Sequence, residues 1–483
     1  MVIGSVELMV KDMRTYIEAL KKADEILTID KEVDPKTNLA GLAWQAENKL
    51  QKATLFKRLK GYPRWTAVSY INGSRKRIAI GLGTTEEMYT RDLIRSLDKR
   101  IKCKLVQDGP VKEKILKQDQ ADLGKIPIHV HSSCDPAPYI GNMCIVKDPE
   151  TGIRNLSVHR CQVKSKNKTG IYIAASRHMD MIYKKYENKN KPMPIAIVVG
   201  HHPAYYVAAC WTTSFGIDEL EIAGALLGEP VELVKCETID IEVPAQAELV
   251  IEGEIPPHVR EEEGPFGEHH GLCHGGKGLN PIINVKSISM RHDAIYYALQ
   301  GGRPVSESQI LDAVPQEITL YNRLKDVLGY IDLRNVVIPP FAGGSHIVVI
   351  QMVPEAEGYA RTALMAALSS PYVHMKIAIA VDEDVDPTDP KDLWWSISTR
   401  VNPQRDVFIV PETFGHPLDV SLEPIGNKMV LGSKMGIDAT KGPKTKPEDR
   451  ALFDRISPKG VEKVNIADYV KKVSHTADTK NII

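Results

Sequence analysis

The sequence lacks the features that define several common classes of protein. No segment approaches about 18 uninterrupted apolar residues, so no membrane-spanning helix is predicted. The seven cysteines include no CxxC pair, which argues against a disulfide scaffold and for a reducing compartment. The motifs GxGxxG, GxxxxGK(S/T), GxSxG and HExxH are also absent. Their absence excludes the commonest nucleotide-binding and hydrolase interpretations.

The chain also lacks an excess of charge of either sign. It contains 62 Lys and Arg residues and 62 Asp and Glu residues, so its formal net charge is zero. This balance argues against a general nucleic-acid or anionic-membrane binder.

Glu7, Lys11 and Asp12 stand where a secretory signal would need an apolar run, and the predicted location is therefore the cytoplasm.

The first part of the chain has the pattern of an α/β domain, which we place at residues 1–120. Its apolar residues recur at helical spacing in some segments and alternate in others. A chain of 483 residues predicts about three domains, of which this is the first. The predicted elements are helices over 11–22 and 38–52, a strand over 26–33, a hairpin formed by 66–73 and 77–83, and a helix from about Thr85.

Closely spaced strands rich in β-branched residues follow, and they predict a β-barrel or sandwich over residues 121–305. Alternating helices and strands then predict a second α/β domain over 306–445. Residues 446–483 have a helical pattern, and we predict that this terminal helix forms an oligomer contact. The predicted fold is thus a multidomain α+β / α/β protein with a central β-barrel between an N-terminal and a C-terminal α/β domain.

The segment 261–276, EEEGPFGEHHGLCHGG, is the most distinctive stretch of the chain. It places Glu263 and Glu268 on either side of a Gly-Pro-Phe-Gly turn that cannot continue a helix. One interpretation is a surface loop with solvated acids. The other is a general acid, because a rigid turn that holds a carboxyl group beside an aromatic ring can raise its pKa by desolvation.

Three further positions carry candidate chemistry. Arg160 lies among apolar residues of a predicted strand, where it would either pair with a carboxylate or phosphate or reach solvent from a sheet edge. His178 follows a strand of small residues and is either structural or a ligand. Glu219 begins an amphipathic helix, and an acid at this position also serves the helix dipole.

The cluster EHHGLCH at 268–274 offers an alternative. Its glutamate, three histidines and cysteine are all possible zinc ligands, which would fit a metal-dependent hydrolase. It lacks the paired histidines of HExxH on a helix, and its glycines argue against a regular element.

Together these motifs resemble the UbiD family of decarboxylases, which use prenylated FMN. Residues 263–268, EGPFGE, look like the catalytic loop of that family. Asn155 and Arg160, five positions apart in NLSVHR, match the asparagine and arginine of its cofactor strand. His178 in SRHMD and Glu219 in ELEIAG match its metal ligands. The resemblance extends over nearly the whole chain, and residues 382–403 and 432–440 look like the C-terminal domain of the family.

The resemblance implies a fold and a set of site residues. The central domain would be a flavin-binding split β-barrel. Asn155, His178 and Glu219 would hold Mn²⁺ or Mg²⁺, with K⁺ beside it, and this mixed oxygen and nitrogen set suits such a metal. Arg160, Glu263 and Glu268 would be the catalytic residues. The positions implied to bind the cofactor are Asn155, Ser157, Val158, Arg160, Arg177, His178, Trp211, Thr212, Glu219 and Lys376.

The resemblance also implies a reaction. The substrate, an aromatic or other α,β-unsaturated acid, would bond covalently to the modified flavin, CO₂ would leave, and Glu268 would protonate the same carbon. Arg160 would pair with the substrate carboxylate and with Glu263, while His269, His270 and His274 would face the substrate. A flavin prenyltransferase would supply the cofactor, and the protein would be a homodimer or homohexamer. The alternatives that stay open are the metal-dependent hydrolase and a non-catalytic flavin-domain subunit of a carboxylase complex.

Overall fold

The structure is a computed structural model. It describes residues 10–86, 88–97, 99–175, 177–274, 277–329, 332–372, 375–416, 419–424 and 430–469. Within these ranges no helix has both the length and the apolar character needed to cross a membrane. The predicted cytoplasmic location stays a prediction.

A four-stranded sheet forms the N-terminal part of the fold, and its last strand comes from far along the chain. The strands lie in the order Ile26–Ile29, Ala53–Phe56, Thr66–Ser69 and Ile295–Tyr297. The first and last pairs are parallel and the middle pair is antiparallel. The helices that accompany this sheet are Met13–Lys22, Leu39–Leu50, Arg75–Gly81 and Tyr89–Leu97.

The predicted hairpin over 66–83 is wrong in its second half. Residues Arg75–Gly81 form a helix, which begins because the Ser74 side chain accepts a hydrogen bond from the backbone N–H of Arg77. Arg77 is buried and forms ion pairs with Glu25 and Glu47. On this short helix Arg77, Ile78 and Ala79 are buried and Ile80 is partly buried, so the segment RIAI shows no alternation of buried and exposed residues.

A closed antiparallel barrel of six strands forms the centre of the molecule, as predicted. Around the barrel the strands follow the order Leu249–Ile255, Met193–Val199, Tyr139–Lys147, Arg154–Ser165, Lys168–Gly170 and Gly278–Met290, and the last pairs with the first. Lys114–Lys117 and Arg260–Glu263 also pair with Gly278–Met290. Helices His178–Asn188, Pro203–Ala209 and Glu219–Leu227 pack around the barrel, and a small sheet joins Lys104–Leu105, Glu232–Lys235 and Glu242–Pro244.

The C-terminal part is an α/β layer that begins with the long helix Glu307–Leu328. Its sheet has the order Asp332–Val337, Ile347–Val353, Ile377–Val381, Val430–Ala439 and Val407–Gly415, with Glu423–Pro424 beside Val430–Ala439. Helices Tyr359–Leu368, Pro390–Arg400 and Pro403–Asp406 complete it. Separate apolar clusters bury the two faces of this sheet, as expected for strands that alternate with helices.

The buried Glu307 connects these parts. Its carboxylate accepts hydrogen bonds from the backbone N–H groups of Tyr70, Asn72 and Gln300, at 2.9, 2.8 and 3.2 Å, and from the hydroxyl of Tyr297 at 2.7 Å. The first turn of the long helix is thereby fixed to the N-terminal sheet.

The prediction of a continuous terminal helix is wrong for the described part of the tail. Only Pro447–Ala451 is α-helical, and short 3-10 turns follow at Val461–Lys463 and Ile466–Asp468. Pro458 lacks a backbone N–H, and Gly460 has a φ of +80°, so the helix cannot continue through them. Residues 470–483 lie outside the described residues.

Candidate active site

A cavity of about 530 Å³ opens beside the barrel. It is lined by the strand Arg154–Ser165, by the segments around His178 and Trp211, by the loop that contains Glu268 and by the helix Glu307–Leu328. This volume is within the range of small-molecule sites. Most of the residues predicted from the sequence therefore converge on one cavity.

The strand Arg154–Ser165 presents its polar side chains to the cavity. The hydroxyl of Ser157 lies 3.4 Å from Oδ1 of Asn155 and 2.9 Å from Nε2 of His159, as expected for alternate residues on one face. His159 Nδ1 donates to the carbonyl of Tyr172 at 3.0 Å, so its Nε2 accepts from Ser157. Burial lowers the pKa of His159, which keeps the imidazole neutral.

In the described part of the loop, residues 261–274, the acids Glu263 and Glu268 are buried and not solvated. Glu263 ends the strand Arg260–Glu263, and Phe266–Gly267 pairs with Cys273–His274 in a short hairpin. Gly264, with a φ of +93°, makes the turn between them. The Phe266 ring is buried 4.6 Å from the ring of Tyr139 and 5.1 Å from the Arg160 guanidinium. Packing of Phe266 therefore holds the loop against the barrel.

Arg160 forms ion pairs with both acids of this loop. Its Nη2 lies 2.8 Å from Oε2 of Glu263, and its Nη1 pairs with Oε1 of Glu268. Asn280 also donates to Glu263 Oε2, at 3.1 Å. Both carboxyl groups are buried, so Arg160 has the partners that a buried guanidinium requires. The alternative of a solvent-reaching edge arginine is wrong.

The environment of Glu268 favours its protonated form. Burial raises the pKa of the Glu268 carboxyl to about 7, the charge of Glu263 contributes to the rise, and the Arg160 guanidinium opposes it. One guanidinium between two carboxylates leaves one negative charge in excess, and protonation of Glu268 removes that excess. Glu268 is thus a group of this site that can hold and release a proton near neutral pH.

Asn155, His178 and Glu219 come together at another part of the cavity. His178 and Glu219 each begin a helix, and the side chain of Asp218 caps the second helix at Leu220 N. Glu219 Oε1 lies 3.2 Å from Asn155 Nδ2 and 3.8 Å from His178 Nδ1. The amide, imidazole and carboxylate form a hard donor set, which fits Mn²⁺ or Mg²⁺.

The remaining predicted residues divide into two groups. Arg177, Trp211 and Thr212 line the cavity, as do Ser157 and Val158. Thr213 donates to Glu219 Oε1 at 3.2 Å. Lys376 instead lies 2.9 Å from Asp419 and 3.0 Å from Ser421, and it is absent from the described lining of the cavity.

The zinc cluster predicted as an alternative at 268–274 does not form in the part of the chain that the structure describes, where no group of three His, Cys, Asp or Glu side chains could hold a metal ion. Glu268 and His269 line the cavity, whereas Cys273 is exposed. The side chain of His274 lies outside the described residues. The described side chains of this segment therefore give no support to the metal-dependent hydrolase.

Sequence reasoning missed several residues of the site. Tyr172 stacks on Arg160, whose guanidinium carbon lies 4.5 Å from the ring centre. His131, Asp312 and Tyr372 also line the cavity, each from a different part of the chain. No local motif surrounds these residues, so only the tertiary fold identifies them.

Three protein-family models match the chain. Residues 17–97, 104–304 and 309–439 match the N-terminal, Rift-related and C-terminal domains of 3-octaprenyl-4-hydroxybenzoate carboxy-lyase, or UbiD. These matches follow the chain in the order of the family.

Individual relatives agree with the family match. The chain is 32% identical over 472 residues to the phenolic acid decarboxylase of Sedimentibacter hydroxybenzoicus, which covers 94% of this chain and 96% of that protein. The UbiD-class enzyme HmfF from Pelotomaculum thermopropionicum, solved in complex with FMN, has a TM-score of 0.86 and 37% identity over 95% of this chain and 100% of that one. An evolved dimeric form of HmfF in complex with prFMN has a TM-score of 0.83 and 35% identity, with the same coverage. The resemblance, the fold class and the carboxy-lyase prediction are confirmed, and the chain belongs to the UbiD family of carboxy-lyases.

Proposed function

We propose that the protein is a reversible, non-oxidative decarboxylase of an aromatic or other α,β-unsaturated carboxylic acid that uses prenylated FMN. The observation that supports this most directly is the buried Arg160 between two carboxyl groups, of which Glu268 has a pKa raised to about 7. The relatives named phenolic acid decarboxylase and the HmfF complexes with FMN and prFMN support an aromatic substrate and this cofactor.

The residues of the cavity fit the cofactor. Asn155, His178 and Glu219 would hold a divalent metal, Mn²⁺ or Mg²⁺, with K⁺ beside it, and the metal would bind the cofactor phosphate. When bound, prenylated FMN supplies the electron sink, through a covalent bond to the substrate, for the electrons of the breaking C–C bond. We propose a flavin prenyltransferase as its supplier.

Arg160 would bind the substrate carboxylate. To do so it exchanges its ion pair with Glu268 for one with the substrate, while Glu263 stays paired. The incoming carboxylate lies close to Glu268 and disfavours a second negative charge there, so Glu268 takes up a proton. After CO₂ leaves, Glu268 gives this proton to the carbon that carried the carboxylate. Glu268 then forms its ion pair with Arg160 again.

Replacement of Glu268 tests this role. The variant Glu268→Gln keeps the size and polarity of the side chain but has no acidic proton, so we expect decarboxylation and hydrogen–deuterium exchange on the product to fall by about 10²-fold or more. Bound flavin, measured by its absorbance, should stay at the wild-type level. Full activity of this variant would remove Glu268 from the mechanism.

Analysis of the holoprotein, produced together with a flavin prenyltransferase, distinguishes the proposed decarboxylase from a non-catalytic flavin-domain subunit. Absorbance, intact mass and metal analysis should find prenylated FMN and Mn²⁺, and a panel of aromatic acids should give product under anaerobic conditions. Bound cofactor without turnover of any acid would instead indicate the non-catalytic flavin-domain subunit.

A further inference from the structure

A second polar group lines the same cavity. Asp312 and Gln316 stand one turn apart on the helix Glu307–Leu328, and both line the cavity together with His269 and Ser308. None of these four side chains has a role in the proposed decarboxylation. Phe266 and Leu311 line the same cavity and offer apolar surface to a substrate ring.

Asp312 is held in one orientation. Its Oδ2 accepts a hydrogen bond from Nε2 of Gln316 at 2.6 Å and another from the hydroxyl of Ser345 at 2.5 Å. Gln316 also donates to the Ser345 hydroxyl at 3.0 Å. Oδ1 of Asp312 accepts no hydrogen bond from any described residue, so this oxygen is left to accept one from a ligand in the cavity.

The charge of Asp312 is not neutralised by a neighbouring lysine or arginine. Arg160 and Arg177 are the only such residues among the described lining of the cavity, and neither forms an ion pair with Asp312. His269 is close to Asp312, but burial lowers the pKa of His269 more than Asp312 raises it, so the imidazole is neutral near pH 7. The wall at Asp312 is therefore an anionic acceptor.

We propose that Asp312 selects the substrate, because its carboxylate accepts a hydrogen bond from a hydroxyl group on the aromatic ring and repels a second carboxylate. This inference rests on the proposed function. A hydrogen bond to a carboxylate is stronger than one between neutral groups, and a ligand without a donor would leave the oriented oxygen unpaired. An aromatic dicarboxylic acid would place two negative charges together without a cation between them.

The test compares ligands that differ only in the second ring substituent. The holoenzyme is titrated by calorimetry with 3- and 4-hydroxybenzoate, with the corresponding methoxybenzoates, which lack the donor, and with benzene-1,3- and 1,4-dicarboxylate. We expect the better hydroxybenzoate to bind at least about tenfold more tightly than its methoxy counterpart, and the dicarboxylates to bind more weakly than both. Equal binding of hydroxy and methoxy acids, or tighter binding of a dicarboxylate, would overturn the proposal.

The variant Asp312→Asn removes the charge while it keeps the size of the side chain. We expect the preference for hydroxybenzoate over methoxybenzoate to fall by at least about fivefold, and the dicarboxylates to bind more tightly than to the wild type. Asp312→Ser serves the same purpose if the first variant does not fold. The control Asp332→Asn makes the same change at an aspartate paired with Arg334 on the C-terminal sheet, and it should keep the wild-type preference.

Separate measurements of ligand binding and of turnover distinguish failure of the proposed function from failure of the proposed role of Asp312. If the holoenzyme binds the hydroxylated acids with the expected preference but decarboxylates no aromatic acid, the proposed function fails and the role of Asp312 stands. If it decarboxylates aromatic acids but Asp312→Asn keeps the wild-type preference, the role of Asp312 fails and the proposed function stands.

Discussion

Glu263 and Glu268 share one guanidinium, but they differ in what else they contact. Glu263 also accepts a hydrogen bond from Asn280 at 3.1 Å. Glu268 has a raised pKa because it is buried beside a second carboxylate. Two carboxyl groups with different environments can take different roles in one site.

The pH dependence of the reaction should report the Glu268 carboxyl. The protonated form exists below its pKa of about 7 and is lost as the pH rises through that value. We therefore expect kcat/KM to fall about tenfold for each pH unit above about 7. The profile is measured with flavin content checked at each pH, and a constant kcat/KM from pH 6 to 9 would contradict the assignment.

At the residue scale, the sequence predicts those site residues that lie within a short, recognisable motif. Glu263 and Glu268 flank a turn that only glycine and proline form, and Asn155 and Arg160 lie on one recognisable strand. Two residues show the limit of such prediction: Lys376 is predicted for the site but does not line the described cavity, whereas Asp312 lines the cavity but is not predicted. The surroundings of each depend on distant segments, Asp419 for the first and Ser345 for the second, and no local pattern encodes such contacts.

The hairpin that carries Glu268 is fixed by close contact with a neighbouring loop. The backbone N–H of Gly267 donates to Oδ1 of Asp135 at 3.0 Å. A Cβ atom on Gly267 would lie 2.6 Å from the Cβ of Ser132. Only glycine allows this approach, so Gly267 helps to determine the position of the neighbouring Glu268.

The variant Gly267→Ala should therefore impair catalysis. The added methyl group pushes the hairpin away from Ser132, and a displacement of about 1 Å costs on the order of 10²-fold in kcat. The second substitution Ser132→Gly should recover part of the loss, and Gly41→Ala, where no atom lies within 4 Å of the new Cβ, is the control. Steady-state kinetics of the four proteins checks this, and wild-type kcat for Gly267→Ala would contradict it.

Prediction of elements succeeds where one periodicity dominates. The barrel strand Arg154–Ser165 and the helix starting at Glu219 follow their patterns. The segment 77–83 fails because its helix has only 7 residues, too few for a helical period to show, and the Ser74 cap determines its start.

At the scale of the whole molecule, Glu307 joins segments that are more than 200 residues apart. Replacement by alanine would leave three buried N–H groups and one hydroxyl without an acceptor. We expect Glu307→Ala to lower the free energy of unfolding by about 3 to 5 kcal/mol. In urea denaturation the control Glu355→Ala, which removes a partly exposed ion pair with Lys444, should lose less than about 1 kcal/mol. Similar losses for both variants would contradict this role.

The tail carries exposed apolar side chains, among them Ile456 at 98%, Ile466 at 70% and Tyr469 at 74% exposure. We predict that they contribute to a homodimer or homohexamer, because an oligomer contact would remove these side chains from water. Truncation after Arg455 keeps the ion pair of Arg455 with Asp392. It should lower the number of chains per particle, obtained from the mass measured by light scattering. An unchanged number of chains would contradict the prediction.

The strand Ile295–Tyr297 has a consequence for the order in which the protein folds during synthesis. The N-terminal sheet is completed by this strand, which pairs with Thr66–Ser69. A nascent chain that has emerged only as far as residue 120 therefore carries an uncovered sheet edge, and the ribosome adds almost the whole barrel before that edge is closed. This edge of the N-terminal sheet is thus paired only after the barrel strands have been synthesised.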